Sequence, residues 1–385
     1  MKKYTKYLIL GLSACLLCAC GKQSTDQQEE TKDLVIHTEE EKTEQPADAL
    51  TLEQKVGQLF IIRPDALNPS NEESRITQLT EEMKENLQKY PVGGVCQFAE
   101  NIENPEQLQQ FNADLQAASE IPMFITVDEE GGIVARLANH EAFDLPKYEN
   151  AAAVGSSGNT EDAKEMGKTI GNYLASYGFN MDFAPDADVN TNPDNPIIGT
   201  RAFSSDAQTA ASMVGAAAEG FRESGILPTL KHFPGHGDTA EDSHTALAVT
   251  HKTLEELESC EFLPFEADTG MHAVMVGHIA APEVTGTDLP ATLSEEMIAR
   301  IPEKEETLIV TDSLEMKAIS DTYSSGEAAL QAFQAGCDVL LMPMDLADAY
   351  DTILQAVKDG TISEERLDES VNKILTYKQA FADMQ

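Results

Sequence analysis

The protein has 385 residues, of which 41% are hydrophobic, and this is enough to form one large globular domain. Its formal net charge is −41 at pH 7, with 67 acidic against 26 basic side chains. Such an acidic surface repels phosphate backbones and anionic headgroups, so it argues against nucleic acid or an anionic membrane surface as a partner.

The first 20 residues have the pattern of a bacterial lipoprotein signal peptide. Lys2, Lys3 and Lys6 precede an apolar run at residues 7–17, which is too short to span a bilayer comfortably. The run ends in Leu-Cys-Ala-Cys-Gly at residues 17–21, a cleavage box after which Cys20 would become the lipidated N-terminus. The alternatives are a plain buried helix and an uncleaved anchor. We therefore predict an extracytoplasmic protein, lipid-anchored to the bacterial cell membrane.

Residues 21–50 are polar, rich in Thr, Gln and Glu, and have few large apolar side chains and no periodicity. This composition predicts a disordered tether. At residues 51–54, Thr-Leu-Glu-Gln is typical of a capping box that opens a helix. We expect the folded domain to cover residues 51–385.

From residue 51 onward, short apolar runs alternate with longer amphipathic stretches. Eight runs are predicted to be strands: 58–62, 92–98, 123–128, 181–186, 227–233, 273–279, 307–312 and 338–343. The amphipathic stretches predict helices at 161–177, 207–224, 254–268, 325–335, 345–358 and 364–382. Continuously apolar strands that alternate with helices indicate a parallel sheet buried on both faces, and eight such units fit a (β/α)₈ TIM barrel. An open doubly wound sheet is the alternative, but it usually has a glycine-rich first turn, which this sequence lacks.

Polar side chains close several of the predicted strands, namely Asp128, Asp186, His232, His278 and Asp312. A carboxylate or imidazole at the end of an apolar strand is costly to bury unless it has a partner or a use. Because the active site of a TIM barrel lies at the C-terminal ends of the strands, these residues are candidates for a site. His278 is equally well explained as a hydrogen-bonded structural histidine at the barrel end.

The segment 231–244 concentrates three His, one Lys and three carboxylates in fourteen residues. Asp242 and His244 are two residues apart, a spacing at which a carboxylate can orient an imidazole for general acid and base catalysis. A metal site built from His232, His236 and His244 is an alternative reading. The Pro-Gly step between the first two counts against it, because it breaks the helix that would place them on one face. An ordinary polar surface loop is the remaining alternative.

This loop, Lys-His-Phe-Pro-Gly-His-Gly-Asp-Thr followed by Asp-Ser-His, resembles the signature of the β-N-acetylglucosaminidase branch of glycoside hydrolase family 3. Other segments are similar to further elements of that branch. They are Val-Asp-Glu-Glu-Gly-Gly at 127–132, Phe-Ala-Pro at 183–185, Ile-Gly-Thr-Arg-Ala-Phe at 198–203, Met-Val-Gly-His at 275–278 and Ile-Val-Thr-Asp-Ser-Leu-Glu-Met at 309–316. The resemblance covers nearly all of residues 51–385.

The resemblance implies a role for each matching residue. Asp312 would be the nucleophile, and His244, held by Asp242, would be the acid/base. The terminal sugar would be bound by Asp128, Arg201, Lys231 and His232. Arg136 is a further candidate for binding, although an ion pair with Glu129 or Glu130 would explain it equally well.

The implied activity is that of a retaining exo-β-N-acetylhexosaminidase that needs no metal or cofactor. Its partners would be N-acetylglucosamine-containing glycans, with peptidoglycan fragments as the natural candidates, and the membrane through the lipid anchor; we expect a monomer. Three alternatives remain: phosphorolytic release of N-acetylglucosamine 1-phosphate, a metal-dependent hydrolase on the same barrel, and a sugar-binding lipoprotein without catalysis.

Two departures from the family pattern, Glu129 in place of Gln and Ala-Phe-Ser-Ser at 202–205 in place of Ser-Phe-Gly-Ser, are expected to affect the neighbouring sugar at most. Of the cysteines that follow Cys20, Cys96 and Cys337 lie in or beside predicted strands and are expected to be buried thiols. With Cys260 the number is odd, so the sequence implies no disulfide framework.

Overall fold

A computed structural model describes residues 46–70, 75–240, 247–268 and 270–382. The predicted signal peptide with Cys20 and nearly all of the predicted tether lie outside these ranges, as do Asp242 and His244. The predictions for these segments therefore stay predictions.

Eight short strands form the centre of the domain, and each lies within a segment predicted to be a strand. They are β1 Phe60–Ile62, β2 Gly94–Cys96, β3 Phe124–Val127, β4 Met181–Asp182, β5 Leu227–Phe233, β6 Ala273–Val276, β7 Leu308–Thr311 and β8 Leu340–Leu341. Neighbours pair in parallel in the order β7-β6-β5-β4-β3-β2-β1-β8. A parallel bridge between Val310 and Val339 joins the two ends of this order. The sheet thus closes on itself, and the predicted (β/α)₈ barrel is confirmed.

The helices lie between the strands and follow the last one. The longer helices are Glu81–Lys89, Pro105–Ala118, Thr160–Ser176, Ala207–Glu223, Ser325–Ala335, Leu346–Lys358 and Glu364–Ala382. The shorter ones are Leu52–Gln58, Ala151–Gly155, Leu254–Glu258, Leu263–Glu266, Pro282–Thr285, Glu295–Ile298 and Lys317–Ser320. Thr51 and Gln54 form the predicted capping box at the start of the first helix. Within the described ranges, no helix combines the length and apolar composition needed to cross a bilayer.

The predicted helix at residues 254–268 is wrong, because the structure has two short helices there, Leu254–Glu258 and Leu263–Glu266. Pro264 explains the break. A proline inside a helix has no N–H to donate and its ring clashes with the carbonyl four residues earlier, whereas it is tolerated in a first turn. The chain therefore starts a new helix at Leu263.

All residues of the eight barrel strands are buried, so the barrel interior is a packed core. β5 differs from the others because it carries Lys231 and His232 within its buried stretch. Burying charged or polar groups is unfavourable unless they find partners. The C-terminal end of β5 must therefore face other polar groups at the same end of the barrel.

The packed domain begins upstream of residue 51. A 3-10 helix, Pro46–Ala49, precedes the first α-helix, and Ala47 is fully buried. The backbone N–H of Ala47 donates to Asn372 Oδ1 at 2.9 Å, which ties this segment to the last helix.

The cysteines of the described residues are free thiols. Cys96 and Cys337 are buried as predicted, and burial raises the pKa of both thiols well above the ordinary value. Both therefore stay protonated and behave as small apolar side chains.

Lys378 on the last helix is buried beneath the barrel strands. Its ammonium Nζ donates to Gln58 Oε1 at 2.6 Å and lies 5.1 Å from the ring centroid of Phe124, and none of the carboxylates in the described ranges pairs with it. Burial lowers the pKa of Lys378 to about 7.

This burial makes the stability of the domain depend on pH. Because the folded-state pKa of Lys378 lies below its ordinary value of 10.5, the folded state binds the proton less tightly than the unfolded state. The folded state should therefore lose stability as the pH falls from about 10.5 to about 7 and should carry a constant penalty below that. Relative to the wild type, Lys378→Met is expected to gain on the order of 4 kcal/mol between pH 10 and pH 7.

Urea unfolding at the two pH values measures this difference. Lys358→Met, which removes an exposed lysine, serves as the control and should show no such pH-dependent gain. An equal stability difference between Lys378→Met and the wild type at both pH values would contradict the interpretation.

Candidate active site

A pocket of about 210 Å³ opens at the C-terminal ends of the barrel strands. Six of the residues predicted from the sequence line it: Asp128, Arg136, Arg201, Lys231, His232 and Asp312. The structure therefore brings together side chains that are up to 184 positions apart (312 − 128) in the chain. The predicted catalytic pair, Asp242 and His244, lies outside the described residues.

Residues 128–130, at the turn after β3, are three consecutive carboxylates whose side chains point to two different sides of the chain. Residues 129–131 form a strand, in which successive side chains point to opposite faces. Asp128 and Glu130 line the pocket. Glu129 points away from it and is fully buried, where it accepts hydrogen bonds from the backbone N–H groups of Leu137 and Ala138.

Glu129 therefore braces the turn from below. The hydroxyl of Tyr173 also donates to it, at 2.9 Å, and burial raises the pKa of Glu129. The side chain of Glu129 is absent from the pocket lining, and the expectation that it affects a neighbouring sugar stays a prediction. Ala202 and Ser204, the positions of the other departure from the family pattern, are also outside the lining; Ala202 is buried and Ser204 is half-buried.

A network of buried ion pairs forms the inner wall of the pocket. Lys231 Nζ lies 2.7 Å from Asp128 Oδ1 and 2.6 Å from Glu130 Oε1. Arg201 donates to both oxygens of Glu130, at 2.8 and 2.7 Å, a bidentate geometry that only arginine provides. Glu130 was not predicted as a site residue. The strand alternation from Asp128 was the signal that could have identified it.

The side chains of this network stay charged because each one contacts a side chain of opposite charge. Burial alone would raise the pKa of Glu130, but Arg201 and Lys231 hold it well below its ordinary value. Lys231 and Arg136 likewise bring the pKa of Asp128 below its ordinary value against the effect of burial. In the opposite sense, Asp128 and Glu130 raise the pKa of Lys231 although burial alone would lower it. All these groups therefore stay charged at neutral pH.

Arg136 belongs to the pocket wall. Its Nη2 lies 3.5 Å from Asp128 Oδ2, and its guanidinium lies 5.8 Å from the ring centroid of Phe98. The alternative that Arg136 pairs with Glu129 or Glu130 is wrong, because Glu130 pairs with Arg201 and Lys231, and Glu129 points away from the pocket.

The loop after β4 orients His232, which lies in β5. Asp188 Oδ2 lies 2.7 Å from His232 Nδ1, which leaves Nε2 as the ring nitrogen available to the pocket. His232 lowers the pKa of Asp188 although burial alone would raise it. His236 Nδ1 lies 2.6 Å from Thr239 Oγ1, and burial lowers the pKa of His236.

Asp186, Asp188 and His232 form a cluster in which a ligand atom from each lies within 4.8 Å of the others, close enough to hold a metal ion. Burial and the charge of Asp188 raise the pKa of Asp186 well above its ordinary value. This cluster differs from the predicted set, because within the described residues its members beside His232 are two aspartates; the ring of His236 lies 5.8 Å from that of His232 but is not part of the cluster.

Asp312 follows β7 directly and lines the same pocket as the ion-pair network. Its backbone N–H donates to the carbonyl of Val276 at 2.9 Å, and its Oδ1 accepts from the backbone N–H of Ser313 at 2.7 Å. His278 is fully buried and does not line the pocket; its Nε2 lies 2.8 Å from the carbonyl of Ser313 and its Nδ1 lies 2.8 Å from Thr292 Oγ1. His278 is thus a structural histidine that fixes the backbone next to Asp312.

Comparison with known proteins identifies the family. The model of the glycosyl hydrolase family 3 N terminal domain matches residues 51–377. The chain belongs to glycosyl hydrolase family 3.

Family 3 relatives show similarity over most of the described barrel. "Beta-hexosaminidase A" of Pseudoalteromonas piscicida is 31% identical over 86% of this chain. "Beta-hexosaminidase LpqI" of Mycobacterium tuberculosis is 33% identical, over 67% of this chain and 68% of its own. The solved structure of a family 3 β-N-acetylglucosaminidase from Paenibacillus superposes with a TM-score of 0.80 at 38% identity, over 87% of this chain.

The first of these relatives and the Paenibacillus protein are longer than the part that matches. The matched region spans 61% of the Pseudoalteromonas protein and 63% of the Paenibacillus chain.

The ion-pair network should be essential to the stability of the barrel end. Glu130→Gln removes the one carboxylate that both Arg201 and Lys231 contact, and leaves two buried cations with less compensation. We expect a loss of about 3 kcal/mol in the free energy of unfolding, measured by urea denaturation. Glu141→Gln, an exposed glutamate in the same loop, is the control and should leave stability unchanged. Equal stability of the two variants would contradict the role of Glu130.

Proposed function

We propose that the protein is a retaining exo-β-N-acetylhexosaminidase, which hydrolyses terminal N-acetylglucosamine from glycans. The observation that carries this proposal is the position of Asp312 in the lining of a small pocket that Asp128, Lys231 and His232 also line. Ligand pockets for larger molecules have volumes of about 300 Å³ or more, so a pocket of 210 Å³ suits a single sugar unit. The names of the family 3 relatives support the same activity.

In the proposed reaction, a carboxylate oxygen of Asp312 forms a bond to the anomeric carbon while the glycosidic oxygen leaves with a proton. His244, oriented by Asp242, would supply that proton and then remove one from the water that attacks the glycosyl-enzyme. Hydrolysis releases the sugar and restores the Asp312 carboxylate. Two inversions at the same carbon give overall retention of configuration.

The charged wall would select and orient the sugar. Asp128 can accept hydrogen bonds from hydroxyl groups, while Lys231, Arg201 and His232 can donate to hydroxyl and acetamido oxygens. Because these side chains already hold one another in place, binding would require little reorganisation. The network closes the pocket beneath the sugar, which favours attack at a chain end.

Two further parts of the proposal concern the natural setting. The signal pattern ending at Cys20 supports a lipid-anchored protein on the outer side of the bacterial cell membrane. Peptidoglycan fragments are the N-acetylglucosamine-containing glycans found there, and we propose them as natural substrates.

A metal-dependent hydrolase on the same barrel is the second candidate, and the Asp186, Asp188 and His232 cluster favours it. If the ion took part in catalysis, a chelator would abolish activity and a divalent cation would restore it. In the metal-free reaction, Asp188 orients His232, whose Nδ1 lies 2.7 Å from Asp188 Oδ2.

Asp312→Ala should abolish turnover of an aryl β-N-acetylglucosaminide, with a fall in kcat of about 10³-fold or more. The assay is release of the aryl alcohol, with and without EDTA and with and without phosphate. Asp321→Ala, an exposed aspartate nine positions on (321 − 312), is the control and should retain wild-type activity.

The arms of this assay separate the candidate functions. Metal-free hydrolysis requires activity that survives EDTA and yields free N-acetylglucosamine. Loss of activity in EDTA would support the metal-dependent reaction. Formation of N-acetylglucosamine 1-phosphate would support phosphorolysis, and normal activity of Asp312→Ala would contradict the nucleophile assignment.

His244→Ala should lower kcat most for leaving groups that must be protonated before they can depart. We expect a large fall in kcat for an alkyl or sugar leaving group and a much smaller one for a dinitrophenyl leaving group, because the latter departs as an anion. The check is a plot of log kcat against the pKa of the leaving group for wild type and variant. Parallel lines would contradict the acid role of His244.

A further inference from the structure

A second cavity, of about 440 Å³, adjoins the candidate pocket at the ends of β1 and β8. The two share Glu315 and Met342 as a common wall. Phe98 lines the first pocket, and the guanidinium of Arg63, which lines the second, lies 4.6 Å from its ring centroid. A ligand that leaves the first pocket past Asp312 towards the end of β8 therefore enters the second cavity.

Within the described part of the chain, Arg63 is the one arginine that lines the second cavity, and its guanidinium is already paired. Arg63 Nε lies 3.1 Å from Asp65 Oδ1, its Nη1 lies 3.5 Å from Glu315 Oε1, and its Nη2 donates to Glu100. One cation thus faces three carboxylates. Burial raises the pKa of Glu315, and the charges of Asp65 and Glu100 add to this effect although Arg63 opposes it.

The remaining charges of the cavity do not reverse this balance. Lys89 adds one positive charge and Asp345 adds one negative charge to the lining. With Glu100 included, four carboxylates oppose two cations around the cavity. An anionic ligand would have to displace a carboxylate from Arg63. The remaining carboxylates would then repel it, which weakens its binding.

The rim of this cavity also exposes an apolar side chain. Met344 is 66% exposed, and in the described residues only Ile133 is comparably exposed among large hydrophobic side chains. Met344 lines the second cavity beside Pro343 and Ala347. An exposed apolar side chain at a cavity rim is suited to contact with the C–H face of a sugar ring.

We propose that this second cavity binds the leaving part of the glycan, the unit beyond the cleaved bond, and selects neutral or cationic units over those with a free carboxylate. The proposal rests on the proposed glycosidase function, because it assigns the sugar that is released to the first pocket. Arg63 and its three carboxylates set the charge preference, and Met344 supplies contact area.

This assignment narrows the substrate class. N-Acetylglucosamine is a neutral leaving unit, and glucosamine is a cationic one. N-Acetylmuramic acid with a free lactyl group carries a carboxylate, whereas in a peptide-substituted fragment that carboxyl group is an amide. The cavity therefore favours neutral or glucosamine-type leaving units over bare muramic acid, whereas a peptide substituent removes the lactyl carboxylate but adds the carboxylate of its own C-terminus.

The first measurement compares kcat/KM for three disaccharides that share a terminal β-linked N-acetylglucosamine. Their second units are glucosamine, N-acetylglucosamine and N-acetylmuramic acid. We expect the anionic disaccharide to be the poorest substrate, by about fivefold or more relative to the neutral one. N-Acetyl-β-glucosaminyl fluoride leaves the second cavity empty and measures the first pocket alone.

Asp65→Asn tests the charge preference by a gain of activity. The variant removes one of the three negative charges that surround Arg63 and should raise kcat/KM for the anionic disaccharide relative to the neutral one by about fivefold. Hydrolysis of the fluoride should stay within about twofold, because Asp65 does not line the first pocket. Glu364→Gln removes one exposed carboxylate from the first turn of the last helix and should change neither ratio.

Met344→Ala tests the contact itself. It should lower kcat/KM for all three disaccharides by about threefold or more and leave the fluoride unchanged. Ile133→Ala, an equally exposed apolar residue that lines neither cavity, is its control and should have no effect.

The outcomes separate this proposal from the proposed function. No hydrolysis of the fluoride would overturn the glycosidase function itself. Normal hydrolysis of the fluoride, with equal use of the three disaccharides and no effect of Asp65→Asn or Met344→Ala, would overturn the second cavity as the leaving-unit site.

Discussion

The buried contacts of Glu130 with Lys231 and Arg201 are the constraint on which the rest of the site depends. Glu130 follows β3, Lys231 lies in β5 and Arg201 lies in the loop after β4, so the two ion pairs connect three neighbouring parts of the barrel end. Each charge is expensive to bury alone, but the set is neutralised by direct contact. The loops can therefore pack only in the arrangement that forms the pocket.

Much of this architecture was predictable from the sequence, because strands that are buried on both faces consist of continuous apolar runs. All eight strands and the gathering of Asp128, His232 and Asp312 at one barrel end follow from those runs and their polar ends. The choice of partners did not follow. Glu129 and Glu130 are chemically identical, and only the strand geometry sends one to the pocket and the other beneath the turn.

Other features depended on tertiary contacts that no local pattern carries. The second cavity is formed by residues after β1 and β8, whose charges are unremarkable when read along the chain. Only in the closed barrel do Asp65, Glu100 and Glu315 meet around Arg63. The charges of the first pocket are balanced, whereas the second cavity has excess negative charge. The two cavities would therefore select the sugar units on either side of the cleaved bond by different charges.

The most direct test of the proposed site is to trap the sugar on the protein. A 5-fluoro-N-acetylglucosaminyl fluoride should form a long-lived glycosyl-enzyme, because the fluorine at C5 slows both the formation and the hydrolysis of the intermediate, whereas the fluoride leaving group speeds its formation alone. Mass spectrometry of the intact and digested protein should then show one sugar per chain, on the peptide that contains Asp312. Turnover of ordinary substrate without any adduct, or an adduct on another peptide, would contradict the account.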